Sequence, residues 1–450
     1  MSKQPINAPA KGSIQTRRAA LASFIGTTIE WYDFYVYATA AALVFGPLFF
    51  SNLSPFMATL ASFGTFAVGF FARPFGGVVF GSVGDRFGRK KALVITLLIM
   101  GVVTMGIGML PTFATAGYWA PAALILLRFM QGIAVGGEWG GAVLLAAEHA
   151  PNGRRTFFAS FAQLGSPAGM ILCLAAFRLA SLMDKAEFMA WGWRLPFLAS
   201  VVLLVVGLAI RLGVQETPDF EQNRDAKGAV ASPVRQAFTT RPLRLVLAVG
   251  ANTFGISAAY LFNTFMIAYT TQYLGIARAT ILDALFITAI AQFMVQPIAA
   301  RIAEQMRSEK VFLQATLLLA MVTPYPLFLM IGTKDPVWIT LGLSLNIIGG
   351  ASFYSVIAGY LAGTFPTSVR YTSISIAYQF CGAIAGGLTP LIGTVIAESF
   401  KEQWWPMAVF GSALAGVSLI CVTLLDRYRH DAATANEEEA NQARLALDPA

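Results

Sequence analysis

The chain has 450 residues, 56% of them hydrophobic and only 12% charged, and a mean hydropathy of +0.65, which excludes a soluble globular protein of this size. Its net charge of +8 is spread over the segments between apolar runs instead of forming one stripe, which argues against nucleic acid as a partner. Cys173, Cys381 and Cys421 stand far apart in apolar runs, and His149 and His430 lie in short polar stretches; buried free thiols are expected, with no disulfide framework and no metal-ligand spacing.

The start of the chain, with Lys3, Lys11, Arg17 and Arg18, lacks the apolar core of a cleavable signal, so residues 1–20 read as a polar tail. Runs long enough to cross a bilayer then follow. They predict helices over Leu21–Phe49, Met57–Gly81, Ala92–Leu110, Trp119–Ala147, Phe157–Leu182 and Arg194–Leu212, a first half covering 21–213. Residues 214–242, with Glu216, Asp219, Glu221, Arg224, Asp225 and Lys227, form the one substantial hydrophilic linker. A second half over 243–425 predicts Leu243–Thr270, Ala279–Ala300, Val311–Ile331, Val337–Thr364, Thr372–Glu398 and Trp405–Leu425, and a polar tail covers 426–450. The expected fold is an all-α membrane protein of twelve transmembrane helices in two related six-helix bundles.

Alternate loops differ in Lys and Arg. One side carries Arg86, Arg89, Lys90, Lys91, Arg154, Arg155, Arg307, Lys310 and Arg370 besides the tails and linker, and the other little beyond Lys185, Arg278, Lys334 and Lys401. Such a bias puts both termini in the cytoplasm. An internal repeat supports two halves: Pro151-x-x-x-Arg155 closes the fourth span, with Glu148 just before it, and Pro366-x-x-x-Arg370 closes the tenth. Gln163 and Gln379 then recur in the helices that follow. Repeated halves around a central site are a common plan of secondary transporters.

The loop after the second span reads Gly81-Ser82-Val83-Gly84-Asp85-Arg86-Phe87-Gly88-Arg89-Lys90-Lys91. Its glycines permit a tight turn, Asp85 is placed to pair with a helix end or a base in one conformation only, and the bases also fix topology. This string resembles the hallmark loop of the major facilitator superfamily. Glu30-Trp31-Tyr32-Asp33-Phe34-Tyr35, Arg73-Pro74-Phe75-Gly76-Gly77, Arg128-Phe129-Met130-Gln131-Gly132, Gly136-Gly137-Glu138-Trp139-Gly140-Gly141 and Gly192-Trp193-Arg194-Leu195-Pro196-Phe197 narrow the resemblance to the metabolite:proton symporter branch. Members of that branch import shikimate, 2-oxoglutarate, citrate, other carboxylates, proline or betaine. The resemblance covers nearly the whole first half; the second half resembles the superfamily only generally. It implies a multi-pass protein of the bacterial inner membrane, a monomer, with a proton gradient as driving force and no cofactor. It also implies gating roles for Gly81, Asp85, Arg86, Gly88, Arg89, Glu148, Arg155 and Arg370.

Charges inside spans are costly and mark function by default. The first half holds Glu30, Asp33, Arg73, Arg128 and Glu138; the second offers neutral groups, Asn252, Tyr260, Asn263, Gln292, Asn346, Tyr354, Tyr378 and Gln379. Asp33 lies roughly 20 Å along its helix, near mid-membrane, at a rise of 1.5 Å per residue. Glu30, Asp33 and Tyr37 share one helical face. Proton-coupled sugar porters of the superfamily pair a first-helix Asp with a fourth-helix Arg, which by resemblance makes Asp33 the proton site and Arg128 its partner. An Asp held by an Arg in low dielectric stays ionised, and removal of the Arg favours proton uptake; a static pair that only fixes packing is the alternative. Arg73 and Glu138 form a second candidate pair. Arg73 or Arg128 could hold a substrate carboxylate by a two-pronged contact, helped by Gln131, although Arg73 before Pro74 also has a structural reading. Trp31, Tyr35 and Tyr37 either line a cavity or face lipid and core.

These features predict a proton-driven importer of a small organic acid. Gly165-Ser166-Pro167-Ala168-Gly169 partly resembles an exporter motif, leaving export as the runner-up beside a helix-packing role for the same residues. A non-transporting sensor lacks a soluble output domain, and no intramembrane-protease or nucleotide-binding motif points to an enzyme or a primary pump.

Overall fold

The computed structural model describes residues 10–87, 89–136, 155–212, 242–306, 308–362, 364–365, 370–401 and 403–428. Twelve long helices account for most of them. The first runs over 10–49 (α1), as Ala10–Ala40, a π-helical turn Ala41–Phe45, and Gly46–Phe49. Pro55–Phe87 (α2), Arg89–Gly108 (α3), Trp119–Gly136 (α4), Arg155–Ala180 (α5) and Leu195–Leu212 (α6) follow. The second set is Pro242–Tyr273 (α7), Arg278–Gln305 (α8), Glu309–Gly332 (α9), Pro336–Ala362 (α10), residues 370–399 (α11) and Trp405–Leu425 (α12). Starts and ends fall within a few residues of the sequence expectation except in α1 and α2, which run farther into the polar flanks. The predicted end of α4 at Ala147, the linker 214–242 up to Arg241, and both tails beyond 10 and 428 lie outside the described residues.

Eleven of these helices are long and apolar enough to cross a membrane. The exception is α1, which has the length but carries Glu30, Asp33 and a run of Thr, Trp and Tyr. Outward-facing Val78, Leu126, Val202, Met294, Leu318 and Ile420 are exposed, as suits contact with lipid tails. Cys173 and Cys381 are buried free thiols; Cys421 is half-buried, its sulfur against Gly250 of α7.

Helix pairing repeats with a shift of six. Within the first six, α1 packs on α5, α2 on α4, and α3 on α6; within the second, α7 packs on α11, α8 on α10, and α9 on α12. The contacts between the sets obey the same symmetry, α5 against α8 and α11 against α2. Arg194, from the Gly192–Arg194 turn before α6, donates to the carbonyls of Gly108 and Leu110 at 2.7 Å each, capping the C-terminus of α3.

Close approach of α2 and α4 depends on glycine. A Cβ on Gly76 would strike the Ile133 carbonyl, one on Gly132 the Gly69 carbonyl, and one on Gly136 the Arg73 carbonyl. Without side chains at these points the two backbones touch, the small-residue packing that membrane helices use where no hydrophobic effect drives association. Gly165 and Gly169 do the same for α5, their Cβ positions falling against Thr27, Thr28 and Tyr32 of α1.

Gly132→Ala is expected to destabilise the protein by roughly 1–3 kcal/mol, the usual cost of overpacking. Gly64→Ala meets nothing within 4 Å and is expected to be neutral. Thermal melting in detergent checks both, and equal melting temperatures for the two variants contradict the packing account.

Candidate functional site

The site grows from one helical stripe of α1. Glu30, Asp33, Phe34 and Tyr37 share a face, and the first two bury their carboxylates, with Asp33 only 1% exposed. Onto this stripe α2 and α4 each bring an arginine. The Arg128 guanidinium lies 4.1 Å from the ring centres of both Phe34 and Tyr37 and 5.0 Å from that of Phe66. The Arg73 guanidinium lies 4.1 Å from the same Phe34 ring and 4.5 Å from Phe70. Phe34 therefore carries two cations, no farther apart than about twice the distance of either from the ring. Gly69 of α2 makes the room, since a Cβ there would collide with the Arg128 side chain.

Each ring contact supplies about 2 kcal/mol when desolvated, part of the cost of holding a cation at 0% exposure. Hydrogen bonding supplies less. Arg128 donates from Nη1 to Gln131 Oε1 at 2.6 Å, and Gln131 in turn donates to Thr104 at 2.8 Å. Nε and Nη2 of Arg128 and Nε of Arg73 have no hydrogen-bond partner. An unsatisfied buried donor costs roughly 1–3 kcal/mol, and more when charged. Asp33, on the same α1 stripe, is near enough to Arg128 for its charge to act on the guanidinium. The expected Arg73–Glu138 pair falls on a residue outside the described ones. The structure puts Arg73 beside Arg128 over the Phe34 ring, as the glycine contact draws α2 and α4 together.

Tyr37 fixes the stripe by donating to Thr65 of α2 at 2.6 Å, while Tyr32 donates to the Pro196 carbonyl at 2.7 Å. Tyr260 of α7 sets its ring against Phe66 and Phe70, at 5.3 and 5.0 Å, so the second six helices meet the arginines here; its hydroxyl has no partner. Tyr260 and Asn263 both belong to a π-helical turn, Tyr260–Phe265, of the kind often found at functional positions. A cavity of about 20 Å³ lies between α1, α5, α7, α8 and α10, and Trp31, Ser166, Asn263, Gln292 and Tyr354 are its polar lining.

The other neutral candidates have mixed fates. Tyr378 shares a 3.2 Å hydroxyl contact with Tyr354. Asn346 accepts from Thr323 at 2.9 Å, joining α9 to α10, and Asn252 turns back to the Ala248 carbonyl of its own helix at 3.3 Å. Gln379 donates at 3.1 Å to the Gly136 carbonyl across the two sets, near the end of the bundle where α1 begins. At the opposite end Gln272 bridges the sets, accepting from Thr59 at 2.8 Å and donating to the Ala42 carbonyl at 3.1 Å, and Arg178 pairs with Asp283 at 2.6 Å. Of the gating set, Gly88 and Glu148 lie outside the described residues; Gly81, Asp85, Arg86, Arg89, Arg155 and Arg370 sit in helices with no side-chain placement described.

Sequence reasoning missed Phe34, Phe66 and Phe70 as arginine platforms and Gln296 as a buried amide with neither terminal atom bonded. Phe34 was recognisable by its place between Asp33 and Tyr37 on one face. Phe66 and Phe70 repeat at i, i+4 one turn before Arg73.

A sequence profile of the Major Facilitator Superfamily matches residues 23–345 and 249–447. Over 415 residues the chain is 37% identical to the shikimate transporter of Escherichia coli, covering 91% of this chain and 94% of that one. It is 38% identical over 426 residues to an inner membrane metabolite transport protein of the same organism (92% and 94% covered), and 32% over 415 residues to a proline/betaine transporter of Salmonella typhimurium (90% and 82%). Among solved structures, a proton:xylose symporter bound to 6-bromo-6-deoxy-D-glucose superposes with a TM-score of 0.73 at 17% identity, over 93% of this chain and 96% of that one. A crystal structure of a D-xylose–proton symporter gives 0.70 at 18%, over 92% and 97%.

Replacing Phe34 by Leu removes the ring shared by both cations and is expected to cost roughly 2–4 kcal/mol, the worth of two desolvated cation–π contacts. Tyr37→Phe keeps the ring, deletes one hydroxyl bond, and should cost about 1 kcal/mol. Melting curves of the two purified variants give the ranking, and a reversed order would rule out the aromatic platform as the main support of Arg128.

Proposed function

The chain belongs to the major facilitator superfamily, and we propose that within it the protein is a proton-coupled importer of a small organic acid, working by alternating access in the bacterial inner membrane. Twelve spans in two bundles, 21–213 and 243–425, place both termini in the cytoplasm on this reading, supported by the Lys and Arg bias of the loops. The observation that carries the proposal is Arg128: a cation with no exposed surface, two nitrogens without acceptors, and a carboxylic acid, Asp33, on the neighbouring stripe. A carboxylate substrate can take two parallel bonds from such a guanidinium.

Coupling follows from competition for that cation. While Asp33 is ionised it compensates Arg128 and weakens its hold on a second anion. Once Asp33 takes a proton from outside, the guanidinium favours the substrate carboxylate, and a neutral ensemble of acid, arginine and substrate anion remains buried. Reorientation of the two bundles then exposes the site to the cytoplasm, where proton and substrate leave together. Glu30 and Arg73 add a second acid and a second cation at the same depth, so that the described core of the site holds two of each sign. Gln272 with Thr59 and Ala42, and Arg178 with Asp283, close the outer side; Gln379 with Gly136 closes the inner.

Relatives named for the transport of shikimate and of other metabolites support a transporter of polar metabolites, and those named for proline and betaine widen the range to zwitterions. The Gly165–Gly169 stretch that favours an exporter reading is occupied in packing α5 against α1.

In proteoliposomes with an inward proton gradient, wild-type protein is expected to accumulate a labelled acid from a panel of carboxylates. Asp33→Asn should abolish accumulation and retain exchange down a concentration gradient. Accumulation that survives the substitution would move the proton to Glu30 or Glu138, and no accumulation of any acid would end the importer reading.

A further inference from the structure

The hydrogen bonds of Arg128 lead outward, into a helix that packs against α1, α2, α4 and α6 of its own set. Arg128 donates from Nη1 to Gln131 Oε1 at 2.6 Å, and Gln131 Nε2 donates to Thr104 Oγ1 of α3 at 2.8 Å. None of the three residues has exposed surface. Donor–acceptor chemistry fixes the direction of the whole chain. A guanidinium only donates, so the Gln131 oxygen has to face it. The amide nitrogen then points the other way and needs an acceptor, which the Thr104 hydroxyl supplies. Were the amide to turn over, its NH2 would meet Nη1, donor against donor.

We propose that Thr104 is a positioning residue for Arg128: acting through Gln131, its hydroxyl sets the orientation in which the guanidinium serves as an anion anchor. The inference rests on the transport reading above and adds to the anchor a residue from α3. A neutral brace suits the task. The faces of Phe34 and Tyr37 attract the cation but do not fix how it is turned over them. A carboxylate in the place of Gln131 would compensate the charge whatever the state of Asp33. One short bond to a neutral acceptor, itself held from behind, fixes the guanidinium and leaves its charge for Asp33 and the solute.

The support behind the brace is stiff. A Cβ on Gly101 would stand 2.6 Å from the Leu204 side chain, and one on Gly108 2.6 Å from that of Phe197, so α3 lies close against α6 on either side of Thr104. One turn beyond Thr104, the Gly108 carbonyl accepts from Arg194 at 2.7 Å. The guanidinium is thus tied through α3 to the first set of helices and travels with it when the two sets reorient. Valine has the shape of threonine without the hydroxyl. In Thr104→Val the Gln131 NH2 is left buried without an acceptor unless the amide moves, and Arg128 then loses its one neutral partner.

The test sets Thr104→Val beside Thr104→Ser, which keeps the hydroxyl. Crystal structures of the purified variants locate the guanidinium, and proteoliposomes with an inward proton gradient report uptake of labelled shikimate, succinate, citrate and proline. In Thr104→Val the Arg128–Gln131 bond is expected to break, or the guanidinium to leave the Phe34 and Tyr37 ring centres; in Thr104→Ser both should stay. For a probe that wild type accumulates, Thr104→Val should raise KM about tenfold and leave kcat within about twofold, since the anchor is weakened alike in every state. Thr104→Ser should restore KM. A threonine that only packs would instead lower the folded yield and the maximal rate at unchanged KM. Thr104→Ala removes the same acceptor and serves if Thr104→Val does not fold. A guanidinium unmoved in the variant lacking the hydroxyl, or an unchanged KM, overturns the proposal. A displaced guanidinium with no probe accumulated by wild type upholds the positioning and ends the importer reading. Accumulation with a KM indifferent to Thr104→Val keeps the importer and ends the positioning role.

Discussion

A cation placed in a bilayer-spanning bundle has to be compensated by something other than water, and the rest of this structure is arranged around that requirement. Arg128 has no exposed surface, and Arg73 is nearly as deep. Their partners are first of all aromatic faces, Phe34 above all, and only secondarily hydrogen bonds. Ring faces attract a guanidinium without neutralising it or filling its donors. The cations are thus held in place and kept available, which a tight carboxylate pair would not achieve. A buried pair of full charges is harder to separate than a stacked one.

The same requirement explains the glycines. An arginine on α4 can lie over α1 only if α2 leaves space, and Gly69 does so. Gly76, Gly132 and Gly136 bring the two backbones into contact, so both arginines arrive at one ring. The second set of helices supplies the opposite character: tyrosines, amides and short hydroxyl side chains around a small cavity, with π-helical turns in α7 and α11.

Pairing by offset of six gives the molecule its mechanical plan. The helices that join the two sets, α5 with α8 and α2 with α11, are related by the same shift as the helices within each set. Gln272 and Arg178 tie one end, and Gln379 ties the other. A rocking motion that opens one end has to break one group of these contacts and can keep the other, with the arginines and the cavity between them. The Arg178–Asp283 pair is largely exposed, with side-chain exposures of 38% and 52%. Exposed pairs contribute about 1 kcal/mol or less, so such a tie is readily exchanged.

The sequence by itself determined the helices and the charges inside them. Apolar runs of bilayer length can only be helices, since every backbone polar group there must bond within its own segment. For that reason the predicted spans and the observed helices agree closely, and Glu30, Asp33, Arg73 and Arg128 stood out as anomalies against an apolar background. Spacing along α1 also fixed which of its residues share a face. What the arginines touch was not legible, because it depends on how closely α2 approaches α4, and a glycine in a sequence does not say which backbone it admits. Packing sets Arg73 beside Arg128 on Phe34, while Glu138, the acid expected to pair with it, lies outside the described residues. Nor could spacing separate the amides that line a cavity, Asn263 and Gln292, from those used up in packing, Asn252 and Asn346. All four are buried polar residues of the second six helices, and only the tertiary structure, by supplying or withholding a hydrogen-bond partner, decided between them.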